Sequence, residues 1–428
     1  MRLDQDKVAP RGRDSSNPRY KQSPPSLAGM CQAPWMIVRF AALGLSLALC
    51  ATSCSDTKTT TESPAITTDP VDYSQPGQYN VGVLNLQVDA DHRLSVFYPA
   101  DTVPSDAKQF SYSGTDLLAG DIAKLLPGAF RNPITVDRAF ADIPASTKGP
   151  FPLVVFSHGF GSSYRFSSRH HAHVASYGFV VVTVDHPERG LASQLGQGPA
   201  DKSRSDVQEL TDGVAAAVAE SKRPGSPISG AIDPERLAAE GHSAGGRASA
   251  NFTMADARVD AWIGLAPSPP GDRPMNNSTT VPGPNPAAAN VRGSALIITA
   301  DADVAIPTAS SDSTFEGLKS PKRKVVLDNS GHNVFTDICA PIQTDGGLAA
   351  TIRALGFDPD TLPIVKLGED GCMTKNPPAA DSLRVFNHLV TAHLLSVFGP
   401  NPEQATKSLA TDWLNTTFPK MVESNQAA

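Results

Sequence analysis

Cysteine is scarce in this 428-residue chain and unevenly placed: Cys31, Cys50 and Cys54 lie in or beside an N-terminal apolar segment, and only Cys339 and Cys372 belong to the body. No Cys-x-x-Cys pair occurs, which leaves no thioredoxin-type or zinc-ribbon motif. No Gly-x-x-x-x-Gly-Lys occurs either, so a phosphate-cradling loop of that kind is absent. Basic residues are not in excess. The formal charge is −7, and residues 1–53 carry seven Lys or Arg against three Asp, so the remainder stands at −11. That balance excludes nucleic acid as an expected partner. Internal repeats are lacking, and no motif calls for a cofactor or a metal. The apolar run Phe40 to Leu49 is too short to cross a bilayer, which takes about 20 residues.

The 40% hydrophobic content is ordinary for a globular protein and is enough for a sizeable core. Residues 1–35 are polar, rich in Arg, Ser and Pro, and have no apolar period, so a disordered extension is expected there. Met36-Ile37-Val38-Arg39 then forms a short basic region before the run Phe40 to Leu49, and the small residues Ala51-Thr52-Ser53 precede Cys54. This is the pattern of an export signal over 36–54. Its end resembles a bacterial lipobox, in which the cysteine thiol is lipidated and becomes the mature N-terminus. An ordinary secretory signal with a chance cysteine is the alternative. The Ser/Thr-rich residues 55–78 suit a solvated tether to a folded domain over 79–428. The expected location is therefore the bacterial cell envelope, lipid-anchored or secreted.

From Asn80 the pattern changes to short β-like runs. Asn80 to Val88 and Arg93 to Tyr98 suit an antiparallel hairpin at a sheet edge. An insertion over 109–148 follows, and its Leu117, Leu118, Ile122, Leu125 and Leu126 fall on one face of an expected helix over Asp116 to Leu126. Such a helix could serve as a flap over a cleft or pack on the side of the domain. Pro152 to Ser157, Phe179 to Val184, Arg236 to Glu240, Val259 to Leu265, Ala295 to Thr299 and Lys324 to Leu327 are apolar runs that alternate with helical stretches. The helices are expected around Ser167 to Tyr177, Ser205 to Lys222, Ala244 to Met254 and Asp381 to Phe398. Strands apolar on both faces and separated by helices indicate one α/β domain with a mostly parallel central sheet flanked by helices. Lys324 to Leu327 is expected as its last strand.

The most informative stretch is Gly241-His242-Ser243-Ala244-Gly245-Gly246. It falls on a strand-to-helix corner, where a Gly-x-Ser-x-Gly turn holds a serine in a strained conformation with its hydroxyl pushed out of the sheet. Only very small residues fit two positions before and after the serine, and Gly241 and Gly245 meet that demand. A serine hydroxyl is a weak nucleophile until a base takes its proton, and the base needs a carboxylate to hold its tautomer. Downstream of Ser243 the chain supplies Asp303 beyond one expected strand and His332 beyond the next. This is the Ser, acid, His order of an α/β-hydrolase fold. The oxyanion of such a reaction needs two backbone donors. The N–H groups of Ala244 and of Phe160, in His158-Gly159-Phe160-Gly161, are in position to be them.

Other polar clusters carry blander readings. Arg169-His170-His171-Ala172-His173 could offer a metal two imidazoles, but His171 and His173 diverge on a helix, so a solvated surface is expected. Asp185-His186 precedes the serine and reads as a cleft-edge or structural pair. Export would place Cys339 and Cys372 in an oxidising compartment without a competitor, which predicts a disulfide between them.

Four motifs carry a family resemblance: Phe156-Ser157-His158-Gly159-Phe160-Gly161, Ala175-Ser176-Tyr177-Gly178-Phe179-Val180 with Val184-Asp185-His186, the serine turn, and Gly331-His332-Asn333-Val334-Phe335. Over about residues 80 to 335 the chain resembles the α/β-hydrolase branch that contains plasma-type platelet-activating factor acetylhydrolases, chlorophyllase-like enzymes and bacterial polyester hydrolases. The resemblance implies an esterase acting through an acyl-enzyme on short to medium acyl esters, with oxidised or short-chain phospholipids and polyester among the candidates. It also implies that Phe160 adds an aromatic wall on the acyl side, and that the acid stands four residues after the strand's closing small residue and four before a proline. Thr299 and Pro307 bracket Asp303 in that way, which leaves Asp301 to cap the loop. His242 stands where polyester hydrolases often carry Trp, and the 109–148 insertion is longer than theirs. The expected partners are a small-molecule or lipid ester and, through the anchor, a membrane, with the chain a monomer. An amidase or peptidase of the same fold, or a non-catalytic surface lipoprotein that kept it, are the alternatives.

Overall fold

Valine and isoleucine runs without a polar interruption mark the middle of the sheet. In the computed structural model, which describes residues 68–428 except 119, 125–127, 200–202, 272–282, 320, 345–346, 355–357, 362 and 374, they become buried strands. The N-terminal extension, the export signal, Cys54 and the tether up to residue 67 lie outside the described residues. Among the described residues, eleven strands are ordered β11-β10-β9-β8-β7-β5-β6-β2-β1-β4-β3. They are β1 (Asn80–Gln87), β2 (Arg93–Ala100), β3 (Gln109–Tyr112), β4 (Ile134–Ala141), β5 (Phe151–Ser157), β6 (Val180–Val184), β7 (Ile232–His242), β8 (Val259–Leu265), β9 (Ser294–Ala300), β10 (Lys322–Leu327) and β11 (Val422–Ala427). From β6 through β5, β7, β8 and β9 to β10 every neighbouring pair is parallel. The chain thus has the mixed α/β sheet with flanking helices of an α/β hydrolase.

Alternate residues of the central strands feed two cores, because side chains on a strand point to opposite faces in turn. Val154, Phe156 and Val181 pack under the helices Ser168–Ser176 and Ala379–Phe398. Leu153, Val155, Val180 and Val182 pack under Asp206–Lys222 and Ala244–Ala255. Burying a side chain such as Phe156 or Val155 contributes roughly 1.5–3 kcal/mol. Both faces of the central strands are therefore covered, and exposed side chains fall on the outer strands.

Several expectations need correction. The β1–β2 hairpin forms as an antiparallel pair, but it is not at the edge, since β4 pairs parallel to β1 and β3 antiparallel to β4. Both outer strands come from the 109–148 insertion. The single helix expected over Asp116 to Leu126 is broken: a 3-10 turn spans Gly114–Leu117 and a separate helix spans Gly120–Lys124. Gly120, in the left-handed region at φ 61°, interrupts it. Leu117 and Leu118 are buried; Leu125 and Leu126 lie outside the described residues. Lys324–Leu327 is not the last strand, because β11 pairs antiparallel to β10. The tether also ends before residue 78. Tyr73 is buried, donates its N–H to His388 Nδ1 at 3.0 Å and accepts from His173 Nε2 at 2.8 Å. Gly77 N–H reaches Ser176 Oγ at 2.7 Å. Burial of the Tyr73 ring fastens residues of the 71–77 stretch to the domain.

Candidate active site

The serine turn joins β7 to the helix Ala244–Ala255. Ser243 has φ 57° and ψ −120°, a conformation that costs a non-glycine residue on the order of 1–3 kcal/mol. Its neighbours hold it there. Ser243 N–H donates to Leu265 O at 2.9 Å, at the end of β8, and its carbonyl accepts from the N–H of Gly246 and of Ser268, both at 2.9 Å. The glycines are sterically required: a Cβ on Gly241 would overlap the Gly245 carbonyl, and one on Gly245 would overlap the Ser157 carbonyl.

β9 and β10 end side by side and carry the next two residues. Asp303, three residues after β9, places Oδ2 2.8 Å from Nδ1 of His332, five residues after β10. Its other oxygen accepts from the N–H of Ala305 at 2.8 Å and of Ile306 at 2.7 Å. Both side chains are buried. A carboxylate on Nδ1 requires the proton there, which leaves Nε2 with its lone pair. Asp301 takes a different place: its Oδ1 accepts from Ser330 N–H at 3.0 Å, tying the Asp303 loop to the His332 loop.

Ser243 and His332 line one cavity of about 420 Å³ together with Phe160, Ala244, Ile306 and Leu367. Phe160 is 41% exposed, a large aromatic face presented to solvent at the cavity. Among the described residues, no acceptor is bonded to the N–H of Phe160 or of Ala244. A second hollow of about 400 Å³, lined by Arg93, Ser162 and Asp185, contains neither Ser243 nor His332.

His242 packs behind His332. Its Nε2 donates to the His332 carbonyl at 2.9 Å, and the two rings are 4.7 Å apart. Burial, with His332 beside it, holds the His242 pKa well below the usual imidazole range. Cys339 and Cys372 form a disulfide with Cα atoms 4.6 Å apart. The segment it closes reaches the cavity and both loops. Leu367 lines the cavity, Asp370 O accepts from Asn333 N–H at 2.9 Å, and Asp370 Oδ2 accepts from Val304 N–H at 3.0 Å. Burial raises the Asp370 pKa.

The imidazoles of His170, His171 and His173 are buried, which corrects the expectation of a solvated surface. They face different ways. His170 Nε2 lies 2.8 Å from Glu240 Oε1, His171 packs edge-on against Phe156 with centroids 4.4 Å apart, and His173 holds Tyr73. Asp185 and His186 are also buried, each with its own partners. Asp185 pairs with Arg93 at 3.2 Å, and His186 Nε2 lies 2.8 Å from Ser157 Oγ.

Sequence reasoning missed Arg189, which is buried beneath the His158-Gly159-Phe160 loop. Its Nη1 donates to His158 O, its Nη2 to Ser157 Oγ at 2.8 Å and its Nε to Asp206 Oδ1 at 2.9 Å. It also missed Asp337, whose Oδ2 accepts from Tyr112 Oη at 2.8 Å and from Arg169 N–H at 3.2 Å. Burial pushes the Asp337 pKa up to about 6. No local pattern flags either residue, since each partner is distant in sequence.

A serine on a strand-to-helix corner, with a carboxylate and an imidazole paired beyond the next strands of a largely parallel sheet, is the arrangement of the α/β-hydrolase fold, and the chain has that fold. A family model described as PETase, PET hydrolase-like, matches residues 141–344. Platelet-activating factor acetylhydrolase of Canis lupus familiaris is 29% identical over 157 residues, 32% of this chain and 34% of that protein. The protein of the same name from Bos taurus is 29% identical over 131 residues, 27% of this chain and 28% of its own length. The chain thus spans about a third of the length of the curated relatives it matches, and both kinds of match fall in the α/β-hydrolase branch that the sequence motifs resemble.

Proposed function

We propose that the chain is a serine carboxylic-ester hydrolase in which Ser243, His332 and Asp303 act together. The observation that carries this reading is the 2.8 Å Asp303–His332 pair, whose imidazole lines one cavity with Ser243 and with Phe160 and Ala244, two residues whose N–H groups have no acceptor among the described residues. His332 Nε2 takes the proton of Ser243 Oγ as that oxygen bonds to the acyl carbon. The carbonyl π electrons move to oxygen, and the N–H groups of Phe160 and Ala244 stabilise the charge there. The tetrahedral species collapses, the bond to the leaving oxygen breaks, and the alcohol departs with the proton from His332. Water then attacks the acyl-serine by the same route in reverse, releasing the acid and restoring Ser243. Asp303 stabilises the imidazolium that forms twice in the cycle.

A cavity of about 420 Å³ beside an exposed aromatic ring supports short to medium acyl esters, including short-chain phospholipid-like esters. A second reading, cleavage of aromatic polyester, is favoured by the family match over 141–344 and by the exposed Phe160. Ser243→Ala is expected to lower turnover of p-nitrophenyl butyrate by roughly four to six orders of magnitude and to abolish fluorophosphonate labelling. Unchanged turnover would dispose of the proposal, and a chain-length series peaking at long-chain triacylglycerols would count against the substrate class.

The same proposal places the enzyme, as a monomer, outside the bacterial membrane with lipid on Cys54, on the strength of the basic, apolar and small residues that precede this cysteine. Mass spectrometry of the mature protein is expected to find a diacylated N-terminal cysteine. A cleaved, unmodified N-terminus would refute the anchor.

A further inference from the structure

The peptide between Gly159 and Phe160 carries the proposed oxyanion donor, the Phe160 N–H, and on its other side the Gly159 carbonyl. A trans peptide is planar, so fixing the direction of one group fixes the other. His158 lies directly before this peptide and turns its ring onto it: Nδ1 is 2.8 Å from Gly159 O. The other ring nitrogen, Nε2, accepts from the His186 N–H at 3.0 Å. That bond decides the tautomer, because a nitrogen facing an N–H donor must present its lone pair, which leaves the proton on Nδ1 to be donated to the Gly159 carbonyl.

Glycine makes the arrangement both close and loose. A Cβ on Gly159 would stand 3.2 Å from Ser243 Cβ and 3.3 Å from His242 Nδ1, so the peptide lies against the nucleophile. The same missing Cβ leaves its backbone freer to turn than that of any other residue. One further bond holds the carbonyl, from Ser162 N–H at 3.3 Å, a longer contact that closes the turn. The frame that carries the ring is itself fastened, through Arg189 on the His158 carbonyl and Asp206 on Arg189. The ring is buried, and burial brings its pKa down to about 4, so it stays neutral at the pH of assay although Asp185 Oδ1 is 3.6 Å from Nε2.

We infer that His158 is a positioning residue of the oxyanion site: by donating Nδ1–H to the Gly159 carbonyl it locks the Gly159–Phe160 peptide with the Phe160 N–H available to the reacting carbonyl. This rests on the ester-hydrolase reading, in which Phe160 is a donor.

Two variants separate this role from general support of the fold. In His158→Asn the side-chain amide nitrogen takes the place of Nδ1 and keeps the donor. In His158→Gln the amide reaches toward the place of Nε2 and the bond to Gly159 is lost. With p-nitrophenyl butyrate, His158→Gln is expected to lower kcat about 30-fold, less than the 10²–10³ of a deleted oxyanion donor because the Ser162 bond remains. Its KM should change less than about threefold, since the oxyanion contact that this bond positions forms only in the transition state. His158→Asn should recover about tenfold of that loss, and the rate of fluorophosphonate labelling, which places a phosphoryl oxygen in the same site, should follow kcat across the set. Equal kcat for the two variants, or losses that track their melting temperatures, would overturn the inference. Should His158→Gln not fold, the folded Asn variant decides: kcat within about tenfold of wild type is expected, and a fall beyond about a hundredfold contradicts the role. A wild-type protein that neither hydrolyses the ester nor reacts with fluorophosphonate would instead remove the ester-hydrolase reading itself.

Discussion

Replacing Asp303 by Asn is the sharpest perturbation the site offers, because it keeps the shape of the side chain and changes only where protons sit. One carboxylate oxygen of Asp303 receives two backbone N–H groups, from Ala305 and Ile306, and the other faces His332 Nδ1. An asparagine has one oxygen, and the two converging donors claim it, so its NH₂ must face the imidazole. His332 then has to present a lone pair on Nδ1 and carry its proton on Nε2, the nitrogen that in the proposed mechanism must be bare to deprotonate Ser243. A reversed tautomer of this kind costs about four orders of magnitude in turnover in a serine protease, equivalent to about 5 kcal/mol of barrier. Asp301→Asn should behave differently, since its bond to Ser330 N–H can be accepted by an amide oxygen, with a stability cost of about 1 kcal/mol or less. Initial rates with p-nitrophenyl butyrate at pH 8 measure the first effect and urea denaturation the second. If Asp301→Asn loses turnover while Asp303→Asn keeps it, the assignment of the acid is reversed.

The remaining expectations concern stability. Asp337 has a folded-state pKa of about 6 against an unfolded value near 4, so between those values the native state holds a proton that the unfolded state has released, and stability falls as pH rises through this window. About two units correspond to a penalty of roughly 3 kcal/mol, complete above pH 6. Asp337→Asn cannot titrate, so its unfolding free energy relative to wild type should rise between pH 4 and pH 7; a difference independent of pH would refute this. Replacing Cys339 and Cys372 together by Ser opens a closed loop of sequence separation 33 and should cost about 4 kcal/mol. Turnover should fall as well, because Asn333 and Val304 lose the support of Asp370, and a double variant of unchanged melting temperature would contradict both statements.

The middle of the fold was legible because its strands are apolar on both faces, as in Val180–Val184, and helical stretches separate them. The serine turn was legible because its backbone admits only glycine at 241 and 245. The choice between Asp301 and Asp303 hung on their spacing from Thr299 and Pro307, and the two carboxylates do take different partners. The sheet's outer strands were not legible. β4 contains Asp137 and Arg138, and β11 reads Val-Glu-Ser-Asn-Gln-Ala, so neither announces a buried face. An edge strand such as β11 is commonly polar, which discourages pairing with other chains. The buried imidazoles escaped for another reason. His170 is held by Glu240, 70 residues away, and composition alone makes a run of histidines look like surface.

β11 is what makes β10 an interior strand. Its pairs run from Val422 opposite Leu327, near the His332 loop, to Ala427 opposite Arg323, and Ala428 closes the ladder with mutual bonds to Lys322. The chain therefore travels away from the cleft over its last residues. Ala428 thus lies at the opposite end of β10 from the His332 loop. Removing residues 422–428 strips the backbone of β10 of its partner and offers a second molecule a free edge beside the His332 loop.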